Sequence, residues 1–322
     1  MIKNTSHVLK FQRLFEKNCD ENEAYQILCS LKPSCLSTVQ LMEILDWVEK
    51  SAIRKGRLPN HVNIFGTGGD CSNDIFGKTL NISSLAATIA SQTTTLIKLG
   101  TRGVTAKWGS ADFFKRVAEI ATKEYFPFVL KPPSRFIPLS ELGFRYSDNI
   151  ILARRRIFKE NRLDIFKVIF PFANLTHSYG QVNGISRFEY VDIFSALASQ
   201  RPKSRILLIH NEDGHDELLP GHNKLIFHYQ GKVITADLEI PRVSKNIERL
   251  FHQRNTLDEQ ILAARELLEN DQTQDFLLDI LCLNAATIVV LDYWHNFSSI
   301  LVTDMAKKLK QEFIKNYDYQ FR

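Results

Sequence analysis

Val62-Asn63-Ile64-Phe65-Gly66-Thr67-Gly68-Gly69-Asp70 is the segment from which the fold class of this chain is best predicted. A short run with the composition of a β-strand leads directly into a loop with three glycines in four positions. A strand that ends in a glycine loop is typical of α/β proteins. Without Cβ atoms in the way, successive backbone N–H groups of such a loop are able to turn inward around an anion. The segment therefore predicts an α/β fold with a phosphate or diphosphate loop at residues 66–70.

The spacing of these glycines matches neither the dinucleotide-binding pattern nor the P-loop pattern. Taken alone, the loop is equally compatible with a plain turn between a strand and a helix. Seven of the fourteen glycines nevertheless lie between Gly66 and Gly109. This uneven placement predicts that another group closely approaches the backbone of residues 66–109.

The rest of the chain alternates short β-like runs with helical windows. The predicted strands are 94–99, 126–130, 165–170 and 205–210, and the helical windows include 83–91 and 188–199. Such alternation favours a mostly parallel central sheet. Apolar residues at helical spacing fill residues 7–55 and the C-terminal third. We expect a helical lobe, residues 1–58, rejoined by residues 146–164, packed on a larger α/β domain, residues 59–322.

Composition sets limits on the class of protein. The 322 residues are 44% hydrophobic and 24% charged, which is ordinary for a globular chain with a sizeable core. A net charge of +5 is too small to predict nucleic-acid binding. The five cysteines form no C-x-x-C pair, and no apolar segment is long enough for a signal peptide or a membrane span. We expect a cytoplasmic protein without a disulfide framework.

Two further segments carry groups that bind anions. Asn81-Ile82-Ser83-Ser84 precedes a helical run, and the N–H groups and side-chain oxygens at a helix start form an anion site. Plain helix capping accounts for this segment equally well. Residues 98–112, KLGTRGVTAKWGSAD, place a lysine at a strand end, followed by a loop rich in glycine and hydroxyl groups and then a helix start.

In their order and approximate spacing, these three segments resemble the anthranilate phosphoribosyltransferase family. Its members show G-T-G-G-D, then N-I-S-T, then K-H-G-N-R with a following G-S-A-D. Residues 181–185, QVNGI, look like the family's Q-V-x-G-V strand, and residues 212–218, EDGHDEL, resemble its E-D-G-x-D-E-L loop. Residues 278–286, LDILCLNAA, are similar to its late L-x-N-A-A helix. The resemblance covers nearly the whole chain.

The resemblance implies a fold of the nucleoside phosphorylase and phosphoribosyltransferase type, with phosphoribosyl pyrophosphate and Mg²⁺ in the cleft beside a helical lobe. It also implies a homodimer. The implied reaction transfers a 5-phosphoribosyl group to an aromatic amine, anthranilate by default, as in tryptophan biosynthesis, and releases pyrophosphate. An anionic leaving group calls for N–H donors, a lysine and a divalent cation instead of a covalent nucleophile. No residue is therefore assigned as catalytic.

The resemblance also implies which residues bind. On the side of phosphoribosyl pyrophosphate these are Gly66, Thr67, Gly68, Gly69, Asp70, Asn81, Ser83, Ser84, Lys98, Thr105 and Ser110. The implied magnesium ligands are Ser83, Asp216 and Glu217, whose hard oxygen atoms suit Mg²⁺. A lone Asp-Glu pair is more often a solvated loop, and it is the surrounding motif that favours the metal.

The acceptor side departs from the family pattern. Leu99 and Thr101 stand where the family has a histidine and an asparagine that line the path of the acceptor. Leu163 stands where it has an arginine for the acceptor carboxylate, and leucine cannot replace a guanidinium. Arg162, one residue away, or the cluster Arg154-Arg155-Arg156 could supply that charge, although a solvated helix face explains the cluster as well. These departures suggest a different aromatic acceptor.

Two other functions fit parts of the chain. Nucleoside phosphorylases share the two-lobed architecture and bind phosphate in a glycine-rich loop. A non-catalytic relative could bind nucleic acid through basic residues, namely Arg154, Arg155, Arg156, Lys159, Arg162 and Lys167. The intact glycine loop, residues 66–70, and the acidic loop, residues 212–218, favour the transferase over the phosphorylase and over the nucleic-acid-binding relative.

Overall fold

A computed structural model describes residues 5–51, 60–67, 81–99, 110–121, 136–139, 147–160, 164–243, 256–259, 261–262 and 271–320. The helices with described bounds are α1 (Ser6–Arg13), α2 (Glu21–Ser30), α3 (Thr38–Ser51), α4 (Ile82–Ala90), α5 (Ser110–Ala121), α6 (Asp148–Lys159), α7 (Phe166–Phe172), α8 (Val191–Ser199), α9 (Asp271–Val289) and α10 (Ser299–Gln320). The strands are β1 (Val62–Gly66), β2 (Leu96–Leu99), β3 (Phe136–Leu139), β4 (Gly180–Gly184), β5 (Arg205–Asn211), β6 (Gly221–Tyr229) and β7 (Lys232–Ile240).

The described strands form one sheet in the order β3-β2-β1-β4-β5-β6-β7. The first five strands are parallel, and β6 and β7 add an antiparallel hairpin at one edge. The predicted α/β class with a mostly parallel sheet is confirmed. Strand β5 is buried on both faces, which explains its continuous apolar run, whereas the edge strand β7 alternates polar and apolar residues.

Each face of the sheet is covered by its own hydrophobic core. On one face, α4, α9 and α10 pack against residues such as Val62, Val182 and Leu207. On the other face, α7 and α8 and the helices of the N-terminal lobe pack against residues such as Ile206 and Leu208. Successive residues of a strand point to opposite faces, so neighbouring positions on β5 serve different cores.

The segment 148–160 packs back onto the N-terminal helices. Tyr25 of α2 donates a hydrogen bond to Glu160, at 2.6 Å, and Asn149 of α6 donates one to the carbonyl of Cys19, at 3.0 Å. The guanidinium of Arg156 lies 4.0 Å from the centre of the Tyr25 ring. These contacts agree with the expected return of residues 146–164 to the lobe, and the division of the chain into two domains stays a prediction.

Residues 165–170, predicted as a strand, form helix α7, so that prediction is wrong. A short apolar run fits a buried strand and a buried helix equally well by its period. The local contacts favour the helix: Asp164 accepts a hydrogen bond from Phe166 N at 2.9 Å, and Phe166 stacks on Phe170 one turn later, with ring centres 5.3 Å apart. The predicted strand 126–130 lies outside the described residues.

Helix α9 is the most apolar long helix of the described part. By length and composition alone, the stretch Asp275–Asn296 could cross a membrane. Its most apolar window is, however, 72% buried inside the protein, where α9 packs between α4 and α10. This burial is typical of a core helix in a globular protein, because such a helix is apolar on all sides.

Candidate functional site

The sheet has a switch point at β1. From β1 the chain order runs outward in both directions, to β2 on one side and β4 on the other. In open α/β sheets, ligands bind outside the carboxyl ends of the strands at such a switch point. The predicted phosphate loop begins here, because Gly66 ends β1 and pairs with Gly184 at the end of β4.

The acidic loop between β5 and β6 reaches over this point. Asp216 lies so close to both glycines that a Cβ atom on Gly66 would overlap its Oδ2 atom, and one on Gly184 would overlap its backbone carbonyl. Close packing against backbone therefore requires glycine at position 184, whereas a Cβ atom at position 66 would displace the Asp216 carboxylate. Gly66 and the acidic loop are far apart in the chain, and it is the pairing and order of the strands that bring them into contact.

Lys98 lies on β2, near the carboxyl ends of the parallel strands, as Gly66 does on β1. Its side chain is buried, with 4% of the residue exposed, and its ammonium donates a hydrogen bond to Ser83 Oγ at 2.9 Å. Burial lowers the pKa of Lys98, while the nearby carboxylates of Glu217 and Asp216 act in the opposite direction. The buried ammonium of Lys98, near two carboxylates and a serine, can therefore bind an anionic ligand.

The start of α4 carries polar atoms that no described residue satisfies. Asn81 stands at the N-cap position, but its side chain makes no capping hydrogen bond. Its Nδ2 atom is buried without a hydrogen-bond partner among the described residues, and so is the Oγ atom of Ser84, a residue only 1% exposed. Because buried polar atoms are nearly always paired, these two atoms point to a ligand or water at the helix start, where the helix dipole also favours an anion. The alternative of plain capping does not hold for the Asn81 side chain.

Asp216 and Glu217 provide the oxygen donors for a cation. Glu217 is 6% exposed, and both residues line a small cavity of about 20 Å³ together with Gly66 and Ser83. Within the described residues no group of three or more His, Cys, Asp or Glu side chains is placed to hold a metal alone. Two carboxylates and a serine hydroxyl nevertheless fit Mg²⁺, because this ion keeps several ligands for water and for substrate phosphates.

Thr67 is held by a residue that the sequence did not single out. Its Oγ1 atom accepts a hydrogen bond from Ser186 N at 3.0 Å and lies 3.2 Å from Ser186 Oγ. Its own N–H donates to the carbonyl of Gly184 at 3.0 Å. The first two residues of the predicted phosphate loop are therefore anchored to the end of β4. No motif could have revealed Ser186, since its role depends on the pairing of β1 with β4.

The remaining predicted site residues divide into two groups. Ser110 begins α5 and Leu99 ends β2. Six others lie outside the described residues, namely Gly68, Gly69, Asp70, Thr101, Thr105 and Arg162. Their roles stay predictions.

The basic cluster of α6 is largely engaged in contacts within the protein. Arg154 is 6% exposed and forms a buried ion pair with Asp164, Nε to Oδ2, at 3.0 Å. Arg156 pairs with Glu21 at 3.4 Å. Lys167, on α7, is 6% exposed, and its Nζ atom lies 5.2 Å from the ring centre of Phe158 on α6. Burial therefore removes Arg154 and Lys167 from any surface for nucleic acid, whereas Arg155 and Lys159 are exposed.

Comparisons with known proteins agree with the motifs. The anthranilate phosphoribosyltransferase of Saccharolobus islandicus (strain M.16.27) is 25% identical over 170 residues, which are 51% of this chain and 46% of that protein. That of Caldivirga maquilingensis is 25% identical over 241 residues, 71% of this chain and 66% of that protein. The chain thus spans about half the length of the former relative.

A solved structure shows the same fold. Anthranilate phosphoribosyltransferase from Saccharomyces cerevisiae, in complex with PRPP and Mg, superposes with a TM-score of 0.70 at 18% identity, covering 98% of this chain and 89% of that one. The same yeast protein in complex with 4-fluoroanthranilate gives a TM-score of 0.68 at 18% identity, covering 98% of this chain and 88% of that one.

The resemblance predicted from the motifs is confirmed by these relatives and by a family model. The model described as "Glycosyl transferase family, a/b domain" matches residues 58–302, which include every described residue of the site. Because this match covers more than half of the chain, the protein belongs to the glycosyl transferase family of this α/β domain.

Proposed function

We propose that this protein transfers a 5-phosphoribosyl group from phosphoribosyl pyrophosphate to an aromatic amine in a Mg²⁺-dependent reaction that releases pyrophosphate. The observation that carries the proposal is the meeting of buried Lys98, Ser83 and the pair Asp216-Glu217 at the switch point of the sheet. The unpaired polar atoms of Asn81 and Ser84, which lack a partner among the described residues, support an anionic ligand beside them.

In this reaction the C1′–O bond to the diphosphate breaks, the amine nitrogen bonds to C1′, and a proton leaves the nitrogen. The main demand is to stabilise the negative charge of the departing diphosphate. Lys98, the Ser84 hydroxyl and the start of α4 meet this demand without a covalent nucleophile, and their burial strengthens each interaction by excluding water. Bound by Asp216, Glu217 and Ser83, Mg²⁺ would supply additional positive charge to the diphosphate oxygens.

Anthranilate is the default acceptor, since the sequence relatives carry that substrate in their name. A different aromatic amine is the alternative that the chain itself favours. Leu99 and Thr101 replace polar residues of the family pattern, and Arg154, one candidate for the acceptor carboxylate, is engaged by Asp164. The other candidates are Arg162 and the neighbours of Arg154 in the cluster, Arg155 and Arg156.

We also propose that the protein acts in the cytoplasm as a homodimer. The described cysteines, Cys19, Cys29, Cys35 and Cys282, form no disulfide, which suits a reducing compartment. The homodimer is proposed from the resemblance to a family whose members are commonly dimers.

The test is a screen for pyrophosphate release. Protein, Mg²⁺ and phosphoribosyl pyrophosphate are mixed with a panel of aromatic amines that includes anthranilate, and with a nucleoside plus phosphate as the phosphorylase control. We expect release that needs both an amine and the metal, and its loss in Lys98→Met. Lys203→Met, which replaces an exposed lysine at the amino end of the sheet, is the matched control and should keep the activity.

Two results would overturn the proposal. One is the absence of pyrophosphate release with every amine together with no heat of binding for phosphoribosyl pyrophosphate and Mg²⁺. The other is ribose 1-phosphate formation from the nucleoside, which would establish the phosphorylase instead.

A further inference from the structure

The side chain of Asn284 on α9 binds the backbone of the acidic loop. Its Oδ1 atom accepts a hydrogen bond from Leu218 N at 2.9 Å, and its Nδ2 atom donates to the carbonyl of Leu218 at 2.8 Å. The same Nδ2 atom donates to the carbonyl of Ile280 in its own helix at 2.9 Å. Asn284 is 5% exposed, so these bonds form away from water. Leu218 directly follows Glu217, and both of its backbone groups are therefore fixed to α9.

The next residue of the loop is held by a second asparagine. Asn223 of β6 accepts a hydrogen bond from Leu219 N at 3.2 Å and donates one to the carbonyl of Leu219 at 2.8 Å. Two asparagines on different elements thus hold consecutive residues of the loop. Amide side chains suit this task because each offers one acceptor and two donors in a fixed plane.

Helix α9 also packs along α4, the helix whose start carries Ser83 and Ser84. The cavity beside Asp216 and Glu217 is lined by residues of both helices, including Ser83 and Asn284. Its volume of about 20 Å³ leaves room for about one water molecule. Asn284 therefore fixes the position of Asp216 and Glu217 relative to α9, and through the packing of α9 on α4 relative to the anion-binding groups at the start of α4.

We propose that Asn284 is a positioning residue. It holds Asp216 and Glu217 close to Ser83, so that one divalent cation can bind to these three side chains and to a diphosphate at the same time. The inference rests on the proposed function. Catalytic groups need such support, because a displacement of about 1 Å costs about 10²-fold in rate. Leucine at this position would fill the space but hold neither backbone group of Leu218.

The test measures metal binding directly. Mn²⁺ replaces Mg²⁺ as a spectroscopic probe, and electron paramagnetic resonance counts the free ion with and without protein at the same concentration of inorganic pyrophosphate, so that Mn²⁺ held by pyrophosphate in solution is subtracted. We expect Asn284→Ala to raise the Kd for Mn²⁺ at least about 10-fold, the usual effect of losing a group that orients metal ligands. Hydrogen exchange should show loss of protection at the Leu218 amide in the same variant.

Asn174→Ala is the matched control. Asn174 also binds both backbone groups of one residue, accepting from Ser178 N at 2.8 Å and donating to its carbonyl at 2.9 Å, but in the loop before β4 at the amino end of the sheet. Its loss should lower stability to a similar extent and leave the Kd for Mn²⁺ unchanged.

Asn284→Gln covers the case in which Asn284→Ala fails to fold. It keeps the amide but adds a methylene group, so we expect a folded protein whose Kd for Mn²⁺ lies above that of the wild type. Wild-type affinity in the folded variants would overturn the positioning role alone. No binding of Mn²⁺ to the wild type with pyrophosphate would overturn the proposed function itself.

Discussion

The carboxylate of Asp216 occupies the space beside Gly66 in which the side chain of any other residue would stand. This relationship joins the end of β1 to the loop after β5. It predicts that Gly66→Ala displaces the carboxylate, because the added Cβ atom would overlap Asp216 Oδ2 and a side-chain end can rotate away. We expect at least about 10-fold weaker binding of Mn²⁺ with pyrophosphate, measured by calorimetry.

Gly231→Asn is the control for that variant. Gly231 has φ +73° in the β6–β7 turn and has open space around its missing Cβ atom, and asparagine tolerates this conformation. Its metal binding should equal that of the wild type. Wild-type metal binding in Gly66→Ala would contradict the close packing of Asp216.

The acidic loop contains two separate pairs of carboxylates, which allows a balanced comparison. Asp216→Asn with Glu217→Gln should lower the metal-dependent rate at least about 10²-fold and leave the circular dichroism spectrum near that of the wild type. Glu212→Gln with Asp213→Asn removes the same charge from a pair that binds Arg242 at the surface, at 2.7 and 2.9 Å. That control should keep the rate, and equal rates in both double variants would refute the metal assignment.

Ser84 offers a test that separates stability from function. Its Oγ atom is buried and has no hydrogen-bond partner among the described residues, so Ser84→Ala removes an unsatisfied polar atom. We expect the free energy of unfolding to stay equal or to rise by up to about 1 kcal/mol. Affinity for phosphoribosyl pyrophosphate should fall about 10-fold, because a hydrogen bond to a charged group is lost.

Ser91→Ala at the other end of α4 is the comparison. Ser91 Oγ already donates to the carbonyl of Thr88 at 2.6 Å, so this variant should not change the affinity for the activated sugar. An unchanged affinity in Ser84→Ala, measured by the same titration, would remove Ser84 from the site.

His228 predicts how stability depends on pH. Burial lowers the pKa of His228 below its ordinary value of 6.5, and its Nε2 atom lies 3.0 Å from Ser195 Oγ. The unfolded chain therefore takes up a proton near pH 6.5, whereas the folded protein takes it up only at a lower pH. The stability from this group is complete above pH 6.5 and is lost as the pH falls toward the lowered pKa.

Denaturant unfolding between about pH 7.5 and about pH 5 measures this effect. His228→Gln should flatten the fall in stability on the acid side, whereas His177→Asn, at an exposed position with φ +59°, should not. The same slope in the wild type and in His228→Gln would show that other groups cause the acid sensitivity.

The acceptor side can be tested by restoring the family residues. Leu99→His with Thr101→Asn should increase kcat/KM for anthranilate, because the two polar groups would again line the path of the acceptor. The two single variants are controls that separate the two positions. A double variant without any gain, in a protein that still binds phosphoribosyl pyrophosphate, would count against this map of the acceptor side.

The fold class was largely accessible from the sequence, and so were the residue types of the candidate site. A strand that ends in a glycine loop, a polar helix start and a lysine at a strand end are local patterns, and each reflects a rule of short range. The wrong prediction at residues 165–170 arose because no local pattern decides between a strand and a helix there. Their period fits both a strand and a helix, and the bond from Phe166 N to Asp164 that favours the helix is a contact of the folded chain.

The order of amino acids specifies which chemical groups this protein contains: the glycine loop after β1, the serines at the start of α4, Lys98 and the carboxylates of residues 216 and 217. That these groups meet follows from the folded arrangement alone, because strand order and packing depend on contacts between residues far apart in the chain. Asn284 shows the difference most clearly. Its amide is visible in the sequence, but its hydrogen bonds to Leu218 exist only where α9 passes behind the acidic loop.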